Sequence, residues 1–314
     1  AATGREATMP HVIERAERQK TAVVVGGGVG GLEAARVLAE RGHAVTLFEK
    51  SDRLGGQVNV ASKATWREAL SGIPRWLVGQ VTKLGVDIRL NTEATEAEIA
   101  ALFPDIVIVA TGGLPQKGEA RGFEHAVTTW DVLEGRSQPS GTVLLYDEIG
   151  GHNAASTAEV LAKMGCLVEL VTHDRMIGEE IGPTNQPVHL RELYKLGVLM
   201  TPNSELIEIY PEGNRLIAAI RNTMTDAEEE RVVDAVVVDY GTLPVDGLHF
   251  ALKDKAKNKG LTDDHAIVAG SPQPCEINGA GSEPGYTLYR IGDAVAGRNI
   301  HAAIYDALRL CKDL

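Results

Sequence analysis

The sequence carries only three cysteines, Cys166, Cys275 and Cys311, and no two of them form a C-x-x-C pair. Neither a zinc ribbon nor a local redox dithiol can be built from such distant neighbours. Cys166 lies just before the apolar run from Leu167 to Val171, and Cys311 lies in an apolar terminal helix, so both suit packed thiols better than nucleophiles. Basic charge is also in deficit: 31 Lys and Arg face 43 Asp and Glu, for a net charge of −12. That balance excludes nucleic acid as a partner, because phosphate contacts need clustered cations. No apolar run reaches the length of a membrane span, and no secretory signal is recognisable. With three reduced cysteines, the expected location is the cytoplasm. The first residue is Ala1 rather than Met, and the chain is expected to be part of a longer polypeptide. What remains is a globular composition, 44% hydrophobic and 24% charged, in 314 residues, enough for two domains.

The most informative stretch runs from Thr21 to Glu49. Ala22 to Val25 is apolar and β-branched, as in a strand buried on both faces of a parallel sheet. It leads directly into Gly26, Gly28 and Gly31 at G-x-G-x-x-G spacing, with Val29 and Gly30 between them. Gly26 permits a tight turn, Gly28 lets the backbone approach a pyrophosphate, and Gly31 lets the next helix pack closely on the strand. The phosphates are expected on that helix's N-terminus, where unpaired N–H groups and the dipole favour negative charge. Leu32, Ala35, Leu38 and Ala39 recur at helical spacing, Gly42 ends the helix, and Ala44 to Phe48 reads as a second strand. Glu49 follows, eighteen residues after Gly31. An acid there can accept ribose hydroxyls and repels a 2′-phosphate.

Lys50 to Gln57 is a turn in which Gly55 and Gly56 again permit close backbone approach; Lys50, Arg53, Gly56 and Gln57 are candidate cofactor contacts. Trp66 to Leu84 reads as one amphipathic helix kinked at Pro74, with Leu70, Ile73, Leu77, Val81 and Leu84 along one stripe. Val86 to Leu90 reads as a strand, and Asn91 to Ala94 follows it where an adenine ring can pack. Asp105 to Val109 is a second buried strand running into Ala110, Thr111 and Gly112, whose small side chains admit a cofactor diphosphate.

A second unit of the same plan starts at Thr142, with strand Val143–Tyr146, helix Ser156–Met164 and strand Val168–Thr172. Its phosphate loop differs. Twelve positions separate Gly26 from Leu38, whereas fourteen separate the equivalent Asp147 from Leu161. The loop reads Asp147-Glu-Ile-Gly-Gly-His-Asn153, and carboxylates near a pyrophosphate's path cost several kcal/mol if desolvated and unpaired. The second unit is therefore expected not to bind a nicotinamide dinucleotide productively. His152 is expected to pack or cap the turn rather than act as a base. Further on, Pro187 to Gly197 reads as a helix. Leu206–Ile209, Arg215–Arg221 and Arg231–Val238 read as strands, with a polar turn at Thr223 to Glu230. Lys253 to Asp264 reads as charged and exposed.

Near the end, a strand closes at Gly292, and Asp293 stands where a carboxylate can accept from a ribityl hydroxyl or cap backbone N–H groups. A helix is expected to begin near Asn299 and Ile300, its positive end free to face a group that gathers negative charge.

On these motifs the chain resembles the C-terminal half of the flavoenzymes similar to trimethylamine dehydrogenase, histamine dehydrogenase and 2,4-dienoyl-CoA reductase. The segment from Tyr146 to His152 and the ending from Ile291 to Leu308 look most like the branch that demethylates N-methylated amino acids such as N-methylproline, stachydrine or dimethylglycine. The resemblance implies an α/β chain of two Rossmann-like domains of the flavin disulfide-reductase kind, the second inserted into the first. Residues 1–20 form an arm, 21–115 plus 240–314 bind FAD or ADP, and 116–239 are the NAD(P)-like insert. It also implies that FMN and a [4Fe-4S] cluster belong to an N-terminal barrel absent from this chain, that the acceptor is an electron-transfer flavoprotein, and that the protein forms a homo-oligomer. No catalytic acid, base or nucleophile is singled out. Two alternatives stand beside the leading reading: a free-standing NAD(P)H-dependent FAD oxidoreductase, and a non-catalytic docking module of a larger enzyme.

Overall fold

The run Thr21–Val25 forms strand β1, and its side chains alternate between two apolar layers, Ala22 and Val24 on one face, Val23 and Val25 on the other. The computed structural model describes residues 12–118, 121–269, 271–274 and 285–314; most of the arm expected at residues 1–20, and Cys275, lie outside them. Contacts divide the chain into two units. The first comprises Ala1–Asn59, Leu70–Leu114 and Leu243–Leu314, and the second comprises Val60–Ala69 and Pro115–Thr242.

In the first unit β1 leads through the glycine turn to α1 (Val29–Glu40) and β2 (Ala44–Phe48). Arg41 caps α1, and Gly42 follows at φ +95°, a left-handed position that suits glycine. After α2 (Gln57–Ala61), the expected single helix from Trp66 to Leu84 is two pieces: a 3₁₀ turn over Thr65–Ser71, then α3 (Gly72–Lys83). Pro74 falls in the first turn of α3, where a missing N–H has no intrahelical partner to lose, so it stands at the start of a helix and not in the middle of one. Leu77 and Val81 are buried, while Leu84, beyond the helix end, is 37% exposed. Val60–Ala69 groups with the second unit, where the Trp66 ring meets the His189 ring edge-on at 4.8 Å. The chain continues through β3 (Asp87–Arg89), α4 (Glu96–Ala100), β4 (Ile106–Val109) and β5 (Gly113–Pro115).

The second unit opens with β6 (Val127–Thr128) and α5 (Thr129–Leu133), started by a capping box between Thr128 and Asp131. The repeat follows as β7 (Thr142–Asp147), α6 (His152–Lys163) and β8 (Leu167–Thr172). The helix starts four residues earlier than Ser156, and five residues after Asp147, whereas α1 starts three after Gly26. Next come α7 (Gln186–Lys195), β9 (Leu199–Thr201), β10 (Ser204–Glu212) and β11 (Arg215–Asn222). The expected strand Arg231–Val238 is two strands in two sheets, β12 (Glu228–Val233) and β13 (Ala235–Asp239). Asp234 separates them, donating its N–H to the Thr142 carbonyl at 2.8 Å and accepting the Thr142 N–H at 2.7 Å. β10, β11 and β12 make an antiparallel meander. The parallel sheet runs β6-β13-β7-β8-β9, with α6 side chains such as Ala155 and Leu161 in one core and Tyr146, Val171 and Val238 in the other.

The chain returns through β14 (Thr242–Pro244), α8 (Gly247–Leu252), α9 (Asp264–Ala269), β15 (Thr287–Arg290) and α10 (Ile300–Cys311). The first unit's sheet then reads β15-β4-β1-β2-β3, with every pairing to β1 and β4 parallel. The stretch from Lys253 to Asp264 is not wholly exposed. Ala256 and Asn258 are each 2% exposed, and the Asn258 amide bonds the Leu261 and Leu288 carbonyls while its oxygen accepts the Leu288 N–H. Both described cysteines are buried; Cys166 leans on the Pro139 carbonyl, and burial pushes the Cys311 thiol up.

Candidate functional site

Each glycine of the first turn meets a different constraint. Gly26 adopts φ +107°, and a Cβ there would lie 2.3 Å from the Ala110 carbonyl oxygen. At Gly31 a Cβ would lie 1.9 Å from the Gly26 carbonyl oxygen, so only glycine lets α1 sit this close to β1. Gly28 differs: nothing lies within 4 Å of where its Cβ would be. The protein leaves that space open. Helix α1 begins there with no side-chain cap and no acid in its first turn, so its positive end carries N–H groups for an anion.

Glu49 is already held beside this turn. Its Oε2 accepts the Gly27 N–H at 2.7 Å, and its Oε1 accepts the Ser51 N–H at 2.8 Å. The single Ser51 hydroxyl hydrogen is contested by Glu49 Oε1 and the Arg53 carbonyl, each at 2.7 Å. A carboxylate offers about four lone-pair sites, so Glu49 keeps room for a further donor. The Gly27 and Ser51 contacts were not among the sequence-read residues; the middle glycine of Gly26-Gly27-Gly28 and the serine two after the acid were the available signals.

The loop after Glu49 closes on the same turn. Gly55 donates its N–H to the Gly27 carbonyl at 2.8 Å, and Gly56, at φ +52°, stands next to Gly28. Gln57 reaches the Gly113 carbonyl at 3.4 Å and also bonds Asp293. The end of β4 is fixed by Thr111, whose hydroxyl donates to the Val245 carbonyl, and by Gly112, whose carbonyl accepts the Val245 N–H at 2.9 Å. Gly30 and Gly292 both abut Ala303 of α10. Burial pushes the Asp293 carboxyl up, against the Arg298 N–H and Gln57, which hold it down. Asn299 caps α10 by accepting the Ala302 N–H at 2.9 Å, and Ile300 opens the helix.

Gly26 to Gly31, Glu49, Gly56, Gln57, Ala110 to Gly112, Gly292, Asp293 and the start of α10 are thus brought together around the start of α1. Three expected contacts are not part of that convergence. Lys50 is exposed, the Arg53 side chain is 70% exposed with its guanidinium 4.0 Å from Asp52, and the Ala94 side chain is buried in the core with Phe48 and Ile99. Next to Gly292 and Asp293, a cavity of about 370 Å³ has His249, Arg290, Arg298, Asp306 and Arg309 among its lining residues.

In the second unit the corresponding loop is filled from within. Asp147 is wholly buried, and its Oδ1 accepts the N–H groups of Ile149 at 3.1 Å and Gly150 at 2.9 Å. The side chain of Ile149 lies over Gly241. Of the two acids expected near the pyrophosphate's path, only Asp147 is buried; Glu148 is half exposed and accepts the Tyr146 hydroxyl at 2.6 Å. His152 packs, as expected of it: its Nδ1 lies 3.0 Å from Nε2 of the buried His189, and burial lowers both imidazoles to about 4.

Compared with known proteins, residues 2–102 and 23–269 match the family described as pyridine nucleotide-disulphide oxidoreductase. Over all of its length the chain is 47% identical to the N,N-dimethylglycine/sarcosine dehydrogenase of Chromohalobacter salexigens and covers 47% of that protein. It is 44% identical to the probable N-methylproline demethylase of Rhizobium meliloti, covering 46% of it. The solved structure of the 6-hydroxypseudooxynicotine amine oxidase of Pseudomonas geniculata N1 matches with a TM-score of 0.81 at 25% identity, over 99% of this chain and 45% of that one. The chain spans slightly less than half the length of these relatives. Among the described residues no helix is long and apolar enough to cross a membrane. The two parallel-sheet units, the glycine turn with its acid, and these matches agree: the chain belongs to the pyridine nucleotide-disulphide oxidoreductase family.

Proposed function

We propose that the first unit binds the adenosine diphosphate moiety of FAD, with ADP alone as the alternative, and serves as the nucleotide-binding part of a larger flavin oxidoreductase. The observation that carries this reading is the bare start of α1, uncapped, free of acids and open above Gly28. The amides from Gly28 to Gly31 would take the diphosphate, and Glu49 the ribose hydroxyls. Gln57, Thr111, Gly112, Asp293 and the start of α10 at Asn299 and Ile300 would hold the flavin end. Bound FAD supplies two-electron redox chemistry; the chain's own residues bind and orient it. The dehydrogenase and demethylase relatives support extending the reading to N-methylated amino acids as substrates of the complete polypeptide. Its FMN and [4Fe-4S] cluster would lie in an N-terminal barrel outside this chain, with an electron-transfer flavoprotein as acceptor.

The second unit, on this reading, takes no nicotinamide dinucleotide productively. Asp147 supports that, because it already uses the loop N–H groups a phosphate needs. The test is calorimetric titration of nucleotide-stripped chain with FAD, ADP and NADH. Saturable binding of FAD or ADP, weakened on substitution of Glu49, supports the proposal. Tight NADH binding with none of FAD or ADP would overturn it in favour of a free-standing NAD(P)H-dependent enzyme.

A further inference from the structure

The parallel register of β13 on β7 sets Asp239 directly opposite Asp147, at the carboxyl ends of two adjacent strands of the second unit. A doubly wound sheet opens its ligand crevice at such strand ends. Asp147 is 0% and Asp239 4% exposed. The two side chains divide the crevice's donors between them. Asp147 takes the Ile149 and Gly150 N–H groups through Oδ1, while its buried Oδ2, like Oδ2 of Asp239, has no hydrogen-bond partner among the described residues. Asp239 accepts the Gly241 N–H at 3.2 Å and faces the Asn153 side chain and the Ala154 N–H at the start of α6. Those are the groups that a glycine loop and a helix N-terminus offer to phosphate oxygens.

Apart from the His173 ring, which lies 3.3 Å from Asp174, the charged groups around the pair are acids. Asp174, just beyond β8, acts on Asp147, and its Oδ2 stands 2.5 Å from where Gly150 would carry a Cβ. Glu148, the residue after Asp147, is turned to Tyr146 and to His173, whose Nδ1 is 3.5 Å from it. Among the described residues neither buried carboxyl forms an ion pair, and the charged side chains that raise Asp147 are Asp239 and Asp174. Two buried anions side by side, with no counter-charge, cannot both persist, and the pair must retain a proton.

We propose that Asp147 and Asp239 share one proton and together stand in for a pyrophosphate in the second crevice, and that this internal pair is the specificity determinant that keeps an anionic dinucleotide out. Burial, with Asp239 alongside, lifts the Asp147 carboxyl to about 8, and burial lifts Asp239 to about 6. The unpartnered Oδ2 of Asp147 is the atom on which a shared proton resolves an otherwise costly buried acceptor. The proposal rests on the reading of the second unit given above.

Two measurements test it. The first is carbon-13 NMR titration of the aspartate carboxyls of the unaltered chain and of Asp239→Asn, from pH 4 to 9. One carboxyl is expected to titrate between about pH 6 and 8, and that step to move down in Asp239→Asn. Titration of both groups below pH 5 would overturn the shared proton. The second is NADH titration, by quenching of intrinsic fluorescence, of the unaltered chain, Asp147→Asn and the Asp147→Asn, Asp239→Asn double variant. The isosteric amides remove the charge and nearly preserve the volume, so the double variant is expected to bind NADH at least about tenfold more tightly than the unaltered chain. A folded double variant that binds no better overturns the exclusion, and if it does not fold, the titration of the unaltered chain still decides. Flavin content of the same preparations reports on the first unit alone, so a failure there is distinguishable from a failure here.

Discussion

Glu49 holds Gly27: the carboxylate accepts the backbone N–H at 2.7 Å at the carboxyl ends of the adjacent strands β1 and β2. The acid proposed to recognise a ribose is thereby fixed by the same turn proposed to receive the phosphates. Binding then needs no rearrangement of this side chain, and the rotamer entropy it would lose has already been lost on folding.

Replacing Glu49 by Ala removes both a ribose acceptor and the tether to Gly27 and Ser51. Hydrogen bonds to a charged group are worth roughly 1.5–3 kcal/mol, so FAD or ADP affinity is expected to fall by about 10- to 100-fold in a calorimetric titration.

Gly28 and Gly31 separate binding from folding. Gly28→Ala meets no protein atom within 4 Å, so the melting temperature should stay near that of the unaltered chain while nucleotide affinity collapses. Gly31→Ala drives its methyl into the Gly26 carbonyl oxygen, and chemical denaturation should show a loss of about 3 kcal/mol. Equal effects of the two substitutions on stability would contradict the division of labour.

The His152–His189 pair gives an acid-side signature. Burial lowers both folded-state values to about 4 from the ordinary 6.5. A depressed value means that the unfolded chain takes up the protons first. The pair's contribution is therefore full above about pH 6.5 and is lost as pH falls through 4. His189→Gln should flatten the fall in denaturation midpoint between pH 6.5 and 4, measured at constant ionic strength. An unchanged slope would refute the assignment.

Asn258 makes four hydrogen bonds to backbone groups, two within its own loop at Gly260 and Leu261 and two to Leu288 of β15, and is 2% exposed. Asn258→Ala leaves those groups unpaired in the interior, and urea denaturation should show a loss of about 3 kcal/mol or more.

Much of this architecture is legible in the sequence because local chemistry and tertiary context agree there. The run from Ala22 to Val25, the glycine spacing, the helix ending before Gly42 and the strand closing on Glu49 each carry a signal within a few residues. Where sequence and structure part, a long-range contact decides. Arg231 to Val238 is a continuous β-prone run, but Asp234 is held by Thr142 of another strand and the chain changes sheets there. Asp147 was legible as an obstacle in a phosphate loop, whereas its pairing with Asp239, more than ninety residues later, depends on register and leaves no local mark. Trp66 reads as the start of a helix within the first domain, but its contact with His189 is invisible to periodicity. The side chain of Ala94 is apolar whether it meets an adenine or a core, and only packing distinguishes the two.

The most direct test of the central claim is the identity of the small molecule released when the purified chain is heat-denatured, read by absorbance and mass spectrometry. The account predicts FAD, or ADP if the flavin is absent, at close to one equivalent, and none from a Gly28→Val variant that still folds. A chain that releases NAD(P)H and no adenosine diphosphate or flavin, or one that yields the same nucleotide from the Gly28→Val variant, would contradict it.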